Sequence, residues 1–464
     1  MIPFPDYIYW SAGFFVILVI DWSFRLLQKR HTLLCNFGLL ALLRYFLEGI
    51  GPEFRQYLYA SDVEEKPFNR TERSDVYKKA KNEDTASSFG SLLNFDSTEL
   101  KLKHSFFPYT EKIEDFSLCF GEERNLKTKY RITKPVLIGG MSFGSLGENA
   151  VRALSRGARK SKIPINTGEG GYPKYHLMEG ADLIFQIGTA KFGVRKEDGS
   201  LDPDKLKSIS DLPEVKMIEI KFSQGGKPGK GGWLPKEKIT KEIAELRNIP
   251  LGQDVFSPAR HLECKDSLST VHFIKNIQEI SGLPVGVKFC LGNVEELKEL
   301  FTTMKKANIF PDYLSIDGSE GGTGAAPKTF MDDLGYPLVT SLKVVENLLQ
   351  DLNIRNQFKI LCAGKLINSG KQIMVLGLGA DAIYTARGFL LALGCIQALR
   401  CHTNQCPTGI TTHSKRFTRG LDIEKKSERV KNYVDHLVES HYELVGALGL
   451  KSFKELQKNH IIQL

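Results

Sequence analysis

Cys395, Cys401 and Cys406 fall within GCIQALRCHTNQCPTG, three of only eight cysteines in a chain of 464 residues. Their spacing lets one short loop turn three thiolates toward a single inorganic centre. Thiolates are soft ligands that suit iron–sulfur clusters and zinc. With no fourth cysteine close by, a three-iron cluster fits better than a four-iron one. Two plainer readings stay open at this point. The three can be packed free thiols, since buried cysteine behaves as a small apolar residue, or a Cys3His zinc site that recruits His402.

A second set of chemistry-bearing residues recurs in one phase along the chain: Ser142, Glu169, Lys221, Gln224, Lys288, Asp317, Glu320, Lys365 and Arg387. Each follows a short β-rich run. These runs occupy 135–142, 163–169, 183–188, 215–223, 285–290, 312–320, 358–365 and 380–387, with amphipathic helical patterns between them. Alternation of strand and helix predicts a parallel sheet, and eight repeats predict a closed barrel. The expected fold is therefore α/β: a (β/α)8 TIM barrel with an N-terminal apolar helical extension and a C-terminal helical tail. Strands inside a helical ring are expected to be apolar on both faces. The C-terminal ends of barrel strands converge on one mouth, where chemistry is done.

Glycines cluster at the same ends. AGKLINSG (363–370) follows the seventh run and TARGF (385–389) the eighth. In barrels those two loops often hold a phosphate on backbone N–H groups and a helix N-terminus, so Gly364, Gly370 and Gly388 are the candidates. SQGGKPGKGGWLP and DGSEGGTGAAP are further glycine-rich loops, read as mobile lids or close-contact walls. Lys227 is a candidate partner for a carboxylate or phosphate, whereas Lys230 reads as a solvated charge. A flat ligand with a phosphate, such as flavin mononucleotide, would fit this rim. Lys288 would then stabilise the N1–C2 region of the reduced ring.

Composition narrows the class. Apolar residues make up 42% and charged residues 25% of the chain, ordinary for a globular protein. The net charge of +9 is spread without a Lys/Arg tract, which argues against nucleic acid as a partner. The cysteines do not suggest a disulfide framework, and a reducing compartment is expected for the main body. The run YIYWSAGFFVILVI (7–20) is different. A spanning helix needs ~20 apolar residues, a length reached only by tolerating Asp21 and ending near Leu27. A second apolar run covers 32–43. Tyr9, Trp10 and Trp22 are candidate interfacial anchors, and Arg25, Lys29 and Arg30 would leave the large domain in the cytoplasm. The expectation is attachment to the inner membrane with the barrel facing the cytoplasm; a cytoplasmic protein with a packed terminal hairpin is the alternative. Four regions are drawn: 1–45 apolar, 46–134 an extension, 135–415 the barrel and 416–464 a helical tail.

GMSFGS, NTGEGG, SQGGKPGKGG, VGVKF, DGSEGGTGAAP and GCIQALRCHTNQCPTG occur in the order found in the FMN-binding synthase domain of glutamate synthase. Over residues 90–415 the chain resembles that domain, most of all its short stand-alone relatives. The resemblance implies FMN and a three-iron [3Fe-4S] cluster on Cys395, Cys401 and Cys406. It implies reductive amination of 2-oxoglutarate to glutamate with ammonia. Met141, Ser142 and Lys288 would contact flavin, with Asp317 beside them and Gly364 and Gly388 at the phosphate. Glu169, Lys221, Gln224 and Lys227 would face substrate or handle protons.

Some residues depart from the family pattern. Asp317, Ser319 and Glu320 stand where the long enzymes typically have Ser, His and Asp, and Tyr172 replaces an acidic residue; both touch the substrate side. No glutaminase domain precedes the barrel and no strand–GxGxxG–helix unit is visible. The implied partners are therefore ammonia from solution or a partner amidotransferase, and electrons from ferredoxin or a separate reductase; an oligomer is compatible. The alternatives are a related amine-transferring enzyme, or a membrane-anchored flavin and iron–sulfur electron-transfer or assembly subunit that makes no glutamate.

Overall fold

The computed structural model describes residues 6–27, 32–93, 95 and 100–463. They divide into two compact units, Met1–Thr71 and Glu72–Leu464. Lys29 and Arg30, invoked for orientation, lie outside the described residues.

In the first unit, α1 (Asp6–Leu27) runs unbroken through Asp21. It is tolerated because its carboxylate is satisfied locally: Arg25 Nε donates to it at 2.7 Å and the Leu39 amide at 2.5 Å. The run 32–43 is not one helix. It divides into α2 (Thr32–Phe37) and α3 (Leu40–Phe54), because Gly38 turns at φ +54 directly against Asp21, where a Cβ would lie 1.9 Å from Oδ1. Residue 45 falls inside α3. Tyr9–Leu27 is long and apolar enough to cross a membrane, and none of it is buried.

The second unit is built on a closed barrel. Its strands are β1 (Val136–Ile138), β2 (Ile165–Asn166), β3 (Leu183–Ile187), β4 (Val215–Lys221), β5 (Val285–Phe289), β6 (Tyr313–Asp317), β7 (Lys359–Ala363) and β8 (Ala382–Thr385). They pair in chain order, all parallel, and close through Ile383↔Val136 and Thr385↔Ile138. All eight runs read from periodicity are strands. The helices of the ring are α4 (Glu148–Ser161), α5 (Pro203–Ser210), α6 (Ser267–Ser281), α7 (Val294–Ala307), α8 (Leu338–Asp351), α9 (Ser369–Gly377) and α10 (Arg387–Leu393). Several begin on side-chain caps: Asp202, Asp266, Asn293 and Asn368 each accept from backbone N–H groups of the first turn. The tail forms α11 (Ile423–Ala447), which packs on the barrel's helices; its Tyr433 donates to Ile367 O at 2.6 Å, and its His441 is bonded to Gln372 at 2.7 Å.

The N-terminal ends of the strands are sealed by a hairpin that periodicity did not reveal, Leu118–Phe120 paired with Tyr130–Ile132. Phe120 and Ile132 plug the barrel against Leu137, Met217, Tyr313 and Tyr384. Arg124 in its turn grips Asp312, just before β6, with contacts of 2.5–3.1 Å, and Lys359 at the start of β7 pairs with Glu123 at 2.7 Å. With that end closed, the mouth of the barrel among the described residues is the opposite end. Gly286 has a packing reason: a Cβ there would meet the Tyr313 ring at 2.2 Å.

The barrel interior is not wholly apolar. Asn166 and Gln186 donate to Glu219 at 2.8 and 2.7 Å, making a buried polar layer beneath the mouth. Mutual hydrogen bonds make that layer tolerable.

Candidate active site at the barrel mouth

The site grows from the ends of β2 and β4. After Asn166 the chain turns sharply at Gly168 (φ +63), and its backbone lies on Met141 and Ser142, leaving no room for a Cβ. This brings Glu169 inward. Gly188 and Gly232 make room for its carboxylate: a Cβ on the first would stand 2.3 Å from Oε2 and on the second 3.0 Å from Oε1. Lys221, the last residue of β4, donates to Glu169 Oε1 at 2.6 Å and to Gln224 Oε1 at 2.8 Å. The Lys221 carbonyl is in turn fixed by His261 Nε2 at 3.0 Å. Gln224 donates to Gly322 O at 3.2 Å, joining the two glycine-rich loops.

Those loops are close-contact walls. A Cβ on Gly225 would stand 1.9 Å from Gly318 O, and Gly226 N donates to Ser319 O at 3.0 Å. Their glycines let backbone lie on backbone.

Three cations face the Glu169 carboxylate: Lys221, Lys227 and Arg247. Burial raises its pKa, but these charges outweigh burial and hold it at about 2. Lys227 is 6% exposed, and among the described residues no hydrogen bond or ion pair of its Nζ is found, while Glu169 Oε2 and Arg247 Nε are buried without a hydrogen-bond partner. Burial, with Lys221 and Arg247 beside it, brings Lys227 down to about 8. Arg247 escaped the sequence reading. It ends the short helix Lys241–Arg247 and reaches back to donate to Phe143 O at 2.7 Å and Ser142 Oγ at 3.3 Å. Burial lowers it to about 10. Nothing local in AELR separates it from an ordinary helix-face arginine, because the contact spans about a hundred residues of chain.

Lys288 and Asp317 form a buried pair at 3.2 Å on β5 and β6. Burial pulls Lys288 down, but Asp317, Glu219 and Glu169 outweigh it and the net shift is upward. Glu320 has a structural partner: its carboxylate accepts from Leu338 N, at the start of α8, at 3.1 Å. Arg387 donates to Glu320 O at 2.7 Å. Of the phosphate candidates, Gly364 (φ +148) faces Glu320 and Leu338, and Gly388 faces the Tyr433 hydroxyl, where a Cβ would stand 2.5 Å away. Gly370, in the first turn of α9, has open space on its Cα side, with only Asn368 Oδ1 at 3.8 Å. Lys230 lies over the Phe330 ring, 5.1 Å from its centroid.

The cysteine loop follows α10. All eight cysteines are free thiols. Gln397, Leu399 and Asn404 adopt positive φ, so the loop is tightly wound. Cys395 Sγ accepts from Gln397 N at 3.4 Å, and its carbonyl accepts from Tyr77 Oη at 2.5 Å. Burial pushes Cys395 up to about 11, while Thr408 and Thr411 outweigh burial at Cys406 and lower it. The three thiols act on one another's ionisation. Among the described residues no group of three His, Cys, Asp or Glu gathers tightly enough to hold one metal ion. A zinc ion with Zn–S of about 2.3 Å would need that gathering. A polynuclear cluster spaces its thiolates more widely. The N–H and hydroxyl donors on sulfur suit one. A cavity of about 650 Å3, lined by Trp233, Asp254, His402 and Thr403, opens beside this loop.

The conserved region of glutamate synthase matches residues 59–451. The chain belongs to the glutamate synthase family. It is thereby an oxidoreductase of glutamate synthase type, a class acting on CH–NH2 donors. It is 37% identical over 474 residues to the glutamate synthase large subunit-like protein YerD of Bacillus subtilis, covering 94% of this chain and 90% of that protein. It is 36% identical to the archaeal-type glutamate synthase (NADPH) of Thermotoga neapolitana and 32% to the archaeal enzyme of Methanocaldococcus jannaschii, covering 71% and 73% of this chain. It spans 62% and 64% of the length of those two proteins. Among solved structures, a flavocytochrome b2 mutant with benzoylformate matches with TM-score 0.50 at 15% identity, covering 84% of this chain and 78% of that one. The likeness is one of fold.

The unpaired ammonium gives a pH signature. Lys227 is charged below about 8 and neutral above it. Binding of a dicarboxylate at the mouth should therefore weaken as pH rises from 7 to 9, by roughly tenfold per unit beyond the pKa. Calorimetric titration with glutarate at several pH values reads this. Lys227→Arg should flatten the profile, and a profile already flat in the unaltered chain would show that Lys227 does not hold the anion.

Proposed function

We propose that this chain is an FMN-dependent enzyme that reductively aminates 2-oxoglutarate, or a similar 2-oxo acid, to glutamate, with ammonia as the amine and electrons supplied from outside. The observation that carries the proposal is the charge at the mouth. Three buried cations surround one carboxylate, and among the described residues one of them, Lys227, has no hydrogen bond or ion pair. A site with surplus buried positive charge needs an anion to complete it, and a 2-oxo dicarboxylate is such an anion.

The residues fit a flavin. Lys288, held charged by its carboxylate neighbours, suits the negative edge of a reduced ring, with Met141, Ser142 and Asp317 beside it. The open backbone at Gly370 suits a phosphate better than Gly364 or Gly388, whose Cα faces are filled. When bound, reduced FMN supplies the hydride. Lys221 and Gln224 orient the substrate. Glu169, at about 2, stays ionised and steadies the lysines; it is too weak a base to carry protons near neutrality. Lys227, brought down to about 8 by burial and its cationic neighbours, holds the substrate's carboxylate, and that pairing favours its charged form. Cys395, Cys401 and Cys406 would hold the [3Fe-4S] cluster through which electrons from ferredoxin or a separate reductase enter.

Anaerobically purified protein should show flavin and iron, and form glutamate from 2-oxoglutarate, ammonium and a reduced dye. Glu169→Gln, which leaves Lys221 buried without its carboxylate, should lower kcat/KM by about a hundredfold, some 2.7 kcal/mol. Reducible flavin without glutamate would leave the electron-transfer or assembly reading instead.

The exposed apolar α1 supports membrane attachment, with Arg25 and the basic residues after it keeping the barrel on the cytoplasmic side. The full chain should float with anionic lipid vesicles through a density gradient. Recovery wholly in the dense fractions would make it cytoplasmic.

A further inference from the structure

One buried cation ties the cysteine loop to the rim of the barrel. Lys238 closes the turn Lys236–Lys238 and is 3% exposed. Its Nζ donates to Ser145 O, in the loop after β1, and to Cys401 O at 3.2 Å. The turn itself is held at both sides. Lys236 N donates to Asp254 Oδ1 at 2.9 Å, and Asn404 Nδ2 donates to Glu237 O at 2.7 Å. A parallel tie runs from His413 Nε2 to Gly144 O at 3.1 Å, and the Gly147 amide donates to Ile410 O at 2.9 Å.

Two carbonyls would be satisfied by any neutral donor, so they do not by themselves explain an ammonium here. A buried ammonium is costly unless charge compensates it. Burial, with Arg247 adding to it, lowers Lys238 to about 8, while the Cys401 and Cys406 sulfurs act in the opposite sense. Thiolates on a cluster would supply the counter-charge that a buried ammonium needs.

We propose that Lys238 is a positioning residue that straps Cys401 to the loop beginning at Met141 and, where the cysteines hold a cluster, places an ammonium between that centre and the flavin rim. The strap fixes the separation of the two centres. Its charge favours the more reduced, more negative state of the cysteine-bound centre. The second half of this inference rests on the cofactor reading given under Proposed function; the first half does not.

The test uses the full chain with Lys238→Met, Lys238→Gln and Lys238→Arg, each read in two ways. Amide hydrogen exchange is followed over residues 141–147 and 401–413, with and without iron. Lys238→Met should speed exchange in both loops by roughly tenfold, and Lys238→Arg should stay near the unaltered chain. The midpoint potential of the iron–sulfur centre is followed by EPR-monitored titration. Met and Gln should both shift it to more negative values, Gln because it keeps a donor but loses the charge; Arg should restore it. Unchanged exchange in the Met variant, or in the Gln variant if Met does not fold, would overturn the strap. Unchanged potential in Gln with iron bound would overturn the charge. A chain that binds no iron would sink the cluster reading instead, and the exchange measurement on that iron-free chain would still decide the strap.

Discussion

The arrangement at the mouth depends on one buried carboxylate and the charges it must balance. Glu169 is ionised because Lys221, Lys227 and Arg247 surround it, and those three are tolerable in a buried place because Glu169 is there. The balance is incomplete. Lys221 spends its bonds on Glu169 and Gln224, and Arg247 spends Nη2 on the loop after β1 while its Nε has no hydrogen-bond partner among the described residues. Lys227 is left over. A folded chain that buries an ammonium without a partner has built in a preference for an anion, and pKa shifts of this kind cluster at functional sites.

The barrel exists around that charge cluster in a specific sense. Its far end is closed by the Leu118–Phe120 and Tyr130–Ile132 hairpin, so Phe120 and Tyr313 keep water out from below. The layer of Asn166, Gln186 and Glu219 then separates the apolar plug from the mouth. Above it, glycines at 168, 188, 225 and 232 let the loops close on one another and on Glu169. Low local dielectric makes each of these charges act more strongly than it would in water.

Much of this was legible in the sequence. Strands buried on both faces repeat as short apolar runs, and the polar residues Glu169, Lys221 and Gln224 at their ends meet one another. Glu169, Lys221 and Gln224 are close in space because β2 and β4 end at the same height. What escaped the sequence has two physical origins. The plugging hairpin has strands of three residues, too short to show a period. Arg247 and Lys238 act about a hundred residues from their own position, and local pattern cannot distinguish a lysine or arginine that folds back into the molecule from one in water. The glycine loops were legible as mobile lids or close-contact walls, but not which of the two, nor that their partner is each other. The spacing of Cys395, Cys401 and Cys406 was legible, whereas Lys238 as their charged neighbour was not. At 32–43 apolar character masked the turn at Gly38, which Asp21 of another helix enforces.

The account stands or falls on what completes the charge at Lys227. A crystal structure of the flavin-loaded chain with glutarate, an unreactive dicarboxylate, addresses it directly. The account predicts a glutarate carboxylate oxygen about 3 Å from Lys227 Nζ, with the Glu169–Lys221 pair intact beside it. Glutarate bound elsewhere, with Lys227 turned to solvent or paired with a protein carboxylate, would contradict it.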